Sequence, residues 1–101
     1  MVYETSALKA TLSAAAGDNA ALQQELKAAF FDSVARQLDL LRRSRCDANW
    51  MMAALRLRAI AASFHAEELV VLAEEATESA PGEPVVMRKI ETFLNEITAS
   101  H

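Results

Sequence analysis

Cysteine occurs once in this 101-residue chain, and glycine and proline only twice each. A lone thiol, Cys46, closes no internal disulfide and builds no metal site by itself, so it reads as a reduced thiol in a cytoplasmic protein. No apolar run approaches the ~18 residues needed to cross a bilayer. The first residues lack the basic region and apolar core of a signal peptide. Positive charge is also in deficit: ten Lys and Arg stand against fourteen Asp and Glu, a formal net charge of −4. Nucleic-acid phosphates are repelled by such a molecule as a whole, although a local basic patch remains possible. No carboxylate pair, glycine-rich phosphate loop or His/Cys cluster occurs at catalytic or metal-binding spacing. The expectation is a soluble chain with no membrane or nucleic-acid partner, no metal and no cofactor.

What the chain does contain favours helix. Hydrophobic residues reach 52%, and alanine, leucine and glutamate dominate. That is ample for one small core, so residues 1–101 are expected to form a single domain. A short alanine-rich segment over Ser6 to Ala15 ends at Gly17, and Asp18 is placed to cap the next helix. From Asn19 to Arg45, Leu22, Leu26, Phe30, Val34, Leu38 and Leu41 recur every three or four residues, the stripe of a long amphipathic helix. Asp47 is the next candidate cap. A third helix, from Ala48 to Ser63, presents Trp50, Ala54, Leu57, Ala61 and Phe64. After a break at Phe64-His65, Ala66 to Ser79 carries Leu69, Leu72, Ala73 and Ala76 inward. Ala80-Pro81-Gly82-Glu83-Pro84 is the clearest punctuation, and Pro84 suits a helix first turn. Val86, Ile90, Phe93 and Ile97 form the last stripe. Short links between helices of this length favour antiparallel neighbours, hence an all-α, up-down four-helix bundle with a short additional N-terminal helix.

Charge is segregated. Six arginines (36, 42, 43, 45, 56 and 58) lie between Arg36 and Arg58 against Asp39 and Asp47, whereas Glu67 to Glu83 holds six glutamates and no base. Two solvated helix faces account for this; so does a basic rim suited to an acidic partner.

The third helix contains Ala54-Leu55-Arg56-Leu57-Arg58-Ala59, followed by Ala61-Ala62-Ser63-Phe64-His65-Ala66 and Leu69. With Gly17-Asp18 and Phe30 upstream, this stretch resembles the histidine-containing phosphotransfer (HPt) domains of bacterial two-component phosphorelays, over about residues 12–98. The family's stretch reads Ala-His-x-Leu-Lys-Gly, then small residues, an apolar residue, Gly-Ala and a leucine. The resemblance implies a bundle of HPt type that docks on a response-regulator receiver domain or a histidine kinase.

Residue by residue, Leu55 falls where the family has its phospho-accepting histidine, Arg58 on the lysine, Ala59 on the glycine, and His65 on the glycine of the helix break. These departures are unequal. The family's imidazole attacks an aspartyl phosphate through a nitrogen lone pair, which leucine lacks. Arg58 keeps a permanent charge. Ala59, four residues after Leu55 and so on the same face, adds only a methyl. His65 lies ten residues beyond Leu55, ~15 Å along a helix axis and about 80° off that face, so it does not replace the missing acceptor. His101, the last residue of the sequence, and Ser63 are weaker candidates still.

Met51, Met52, Leu55, Ala59 and Ala62 lie near one stripe, away from the core stripe and flanked by Arg56 and Arg58. Either a neighbouring element covers them, or these seven residues form an exposed partner-binding strip, to which methionine side chains bring adaptability. The resulting expectation is an adaptor or inhibitor of phosphorelay signalling that carries no phosphate and has no catalytic residue, as a monomer or weak homodimer. The alternatives are phosphotransfer through a different acceptor, or an unrelated helical module that dimerises through Met51, Met52 and Leu55.

Overall fold

The computed structural model describes residues 2–99, with side chains described for 7–97. Five helices follow in order: α1 (Val2–Ala16), α2 (Ala20–Arg43), α3 (Asp47–Ser63), α4 (Glu67–Thr77) and α5 (Pro84–Ala99). No strand occurs among the described residues, as the composition requires. Helices α2, α3, α4 and α5 touch in cyclic order, each packing on the next and α5 returning to α2, while α1 lies along α2.

One apolar core runs through all five helices. The fully buried large side chains include Leu8 of α1, Phe30, Val34 and Leu41 of α2, Trp50 and Leu57 of α3, Leu69 of α4, and Ile90, Phe93 and Ile97 of α5. Between α3 and α4 the contact is made largely by buried alanines (Ala54, Ala61, Ala73 and Ala76), which let the two helix backbones approach closely. Trp50 sets one end of this pair, its Nε1–H donating to the Ala76 carbonyl at 2.7 Å. That bond occupies a carbonyl in the last turn of α4, which has no partner within the helix, and satisfies the indole N–H, which is buried with its ring.

Several boundaries and caps differ from the sequence expectation. Helix α1 extends N-terminal of Ser6, to Val2. Asn19, not Asp18, caps α2: its Oδ1 accepts from the Leu22 N–H at 3.0 Å. The intervening Gly17 takes φ +61°, a left-handed conformation that glycine adopts without penalty, and this places Asn19 rather than Asp18 at the cap. Helix α2 stops at Arg43, where Ser44 turns to extended backbone and its hydroxyl donates back to the Leu40 carbonyl. Asp47 is the first residue of α3 rather than its cap; Cys46 occupies the cap position and makes no side-chain bond there. Helix α4 is shorter at both ends than expected, and Leu72 is only half-buried. Leu22, at the head of the α2 stripe, is exposed.

The α3–α4 corner is a Schellman turn. Ala66 N–H bonds to the Ala61 carbonyl, and His65 N–H to that of Ala62. His65 sits at the left-handed position with φ +58°, a conformation in which a side chain costs roughly 1–2 kcal/mol. Thr11 of α1 clasps this corner: its hydroxyl donates to the Phe64 carbonyl and lies 3.1 Å from His65 Nδ1. Phe64 in turn stacks on Phe30 with ring centroids 4.7 Å apart.

Candidate functional site

Helix α3 positions the candidate strip because its two apolar patterns are out of phase. Trp50, Ala53, Ala54, Leu57 and Ala61 face the core and are buried. At 100° per residue, Met51, Leu55 and Ala62 fall on the flank turned toward α4, Ala59 on the outer crest, and Met52 and Arg56 on the flank turned toward α2. No described element covers them. Leu55 is 40% exposed, Met51 38% and Met52 51%, and Arg56, Arg58, Ala59 and Ala62 are exposed as well. All seven residues expected to form a partner-binding strip are therefore accessible on one helix.

Two shallow recesses border the strip. On the α2 side, Leu40, Arg43, Met52 and Arg56 line a cavity of about 310 Å³. On the α4 side, Ala62, His65, Glu67, Val70 and Val71 line one of similar volume, about 310 Å³. The apolar surface thus extends beyond α3 onto α4, through two valines that the sequence reading passed over. The signal was present: Leu69 points inward, and Val71, two residues later on the same helix, must point outward.

The basic rim is smaller than the arginine count suggests. Arg36 pairs with Asp32, Arg43 with Asp39, and Arg42 with both Asp39 and Glu91. Arg45, in the link before α3, and Arg56 and Arg58 on α3 have no ion-pair or hydrogen-bond partner among the described residues, so two of the rim's three unengaged charges lie on α3 beside Leu55. An exposed apolar side chain flanked by two unengaged guanidinium groups can bury area against a partner and bind its carboxylates or phosphates. It cannot perform nucleophilic chemistry, because Leu55 offers no lone pair.

The other candidates lie elsewhere. His65 is at the far end of α3 on the Schellman turn, and Ser63 donates its hydroxyl to the Ala59 carbonyl. His101 lies outside the described residues. Among the described residues no group of three or more His, Cys, Asp or Glu side chains is placed to hold a metal ion, and no helix is long and apolar enough to cross a membrane. Neither a protein-family model, nor a curated protein, nor a solved structure matches the chain.

Proposed function

We propose that this protein is an HPt-like adaptor that docks on a receiver domain, or on a histidine kinase, without carrying phosphate. The observation that carries the reading is the surroundings of Leu55. At the position the resemblance gives to the phospho-accepting histidine, an exposed hydrocarbon stands between Arg58 and Ala59 on an uncovered helix face. The cyclic contact of α2 to α5 is compatible with an up-down four-helix bundle of HPt type, to which α1 adds a further helix.

A receiver's phosphorylation site is a cluster of carboxylates in this reading. Arg56 and Arg58 supply the complementary charge, which raises the encounter rate and fixes orientation. Ala59 permits close approach of the partner backbone, and Met51, Met52 and Leu55 bury apolar area. Occupying the surface used by a phosphorylatable domain would make the protein a competitor, an inhibitor of phosphotransfer by occlusion. Binding of purified receiver domains, followed by calorimetry, tests this. Arg58→Glu should weaken the complex at least tenfold; unchanged affinity for the true partner would rule out docking through this face.

A further inference from the structure

We infer that the α3–α4 face also binds a second copy of this chain, about a two-fold axis running along the seam between the two helices. This inference goes beyond receiver docking and stands independently of it.

Three observations converge. The apolar surface crosses the seam at one end: Ala62 on α3 shares a recess with Val70 and with Val71, which is 60% exposed on α4, while His65 and Glu67 complete its lining. On α3 the charge beside this seam is Arg58, unpaired among the described residues; Arg56 lies on the other flank, toward α2. On α4 and at its C-cap the exposed charges are Glu67, Glu74 and Glu78, whose carboxylates likewise have no ion pair or hydrogen bond among the described residues. The face therefore carries positive charge on one helix, negative charge on the other, and hydrocarbon one turn away at Ala62, Val70 and Val71. A surface of a single sign laid across both helices would meet like charge on one of them, which docking on α3 alone avoids. A second copy, rotated about the seam, meets opposite charge on both, because an isologous interface lays each copy's α3 over the other's α4.

The register makes the pairing specific. Trp50 bonds Ala76 at one end of the helix pair, and Ala62 shares a recess with Val70 at the other, so α3 and α4 run antiparallel. One helical turn back from Ala62 is Arg58, and one turn on from Val70 is Glu74, so these two residues stand level. Rotation about an axis parallel to the helices preserves that level. Arg58 then faces the second copy's Glu74, twice per dimer, with the two apolar strips buried between. Such a dimer hides Leu55, so self-association and receiver docking exclude one another.

The test is sedimentation of the intact protein over rising concentration. The expected result is monomer–dimer exchange with a dissociation constant below about 1 mM. Arg58→Glu and Glu74→Arg should each weaken association at least tenfold, since each single variant brings like charges together at both contacts. Mixing the two variants in equal amounts should restore a dimer, now mixed, because every contact across the axis regains opposite charge. Both substitutions are at exposed positions, and unchanged thermal melts confirm that the variants fold. A natural protein that stays monomeric at millimolar concentration, or a mixture that associates no better than its components, overturns the inference. A monomeric protein that nevertheless loses receiver binding on Arg58→Glu would overturn self-association while leaving docking intact.

Discussion

Leu55 is 40% exposed on α3, whereas Leu57, two residues later on the same helix, is fully buried. Two leucines with the same intrinsic helix preference thus do different work: one lies in the core, and the other faces solvent beside two arginines that are unpaired among the described residues. Leu57→Ala should cost about 2–5 kcal/mol of unfolding free energy through lost burial and a residual cavity. Leu55→Ala should change stability by no more than about 0.5 kcal/mol. Urea titration of the two variants, read by the fluorescence of the single tryptophan, Trp50, measures both.

Gln37 carries the opposite kind of signal. It is buried on α2, and its Oε1 has no hydrogen-bond partner among the described residues. A buried acceptor without a donor costs about 1–3 kcal/mol of desolvation. Gln37→Leu keeps a similar volume and removes that acceptor, so it should raise the melting temperature by several degrees. An unchanged or lower melting temperature would mean that the amide is satisfied in solution.

The Schellman turn makes a prediction about backbone rather than packing. His65 is left-handed, and a β-branched residue tolerates that conformation worst. His65→Val should be less stable than His65→Gly by about 1 kcal/mol or more, as measured by chemical denaturation of the pair. Both variants lose the Thr11 contact, so the difference between them isolates the backbone term.

The helices and most of the core were legible in the sequence because spacing reports which residues share a face. Val34, Leu38 and Leu41, and Val86, Ile90, Phe93 and Ile97, are buried as their periodicity requires. Periodicity does not report what lies opposite a face. Leu22 continues the α2 stripe yet is exposed. The same gap left the Leu55 strip open in the sequence, to be either covered or accessible. Caps were misplaced by one residue at α2 and α3, because adjacent polar residues compete for the same role and the φ of Gly17 decides between Asp18 and Asn19. The Thr11 clasp on Phe64 joins residues 53 apart in sequence, and no local pattern announces it. The arginine count overstated the basic rim, since the bonds of Arg36, Arg42 and Arg43 to nearby acids emerge only once the helices are in place.

Trp50 offers a check on the α3–α4 clamp. Trp50→Phe keeps an aromatic ring in the core but abandons the hydrogen bond to Ala76. It should cost about 1–3 kcal/mol, from the lost indole hydrogen bond and the lost ring volume, although the Ala76 carbonyl keeps the Ser79 N–H. Circular dichroism melts of this variant, which no longer has a tryptophan to report, provide the measurement.

The most direct test of retained docking without chemistry is phosphoryl transfer from labelled receiver domains of the same organism, with the natural protein and Leu55→His assayed side by side. The predicted result is no label on the natural protein and acid-labile label on the histidine variant, the outcome that an intact docking face lacking only its nucleophile would give. Label on the natural protein would contradict the assignment of Leu55 to the acceptor position. Silence from both, at concentrations where a phosphorylatable control accepts label, would contradict receiver docking itself.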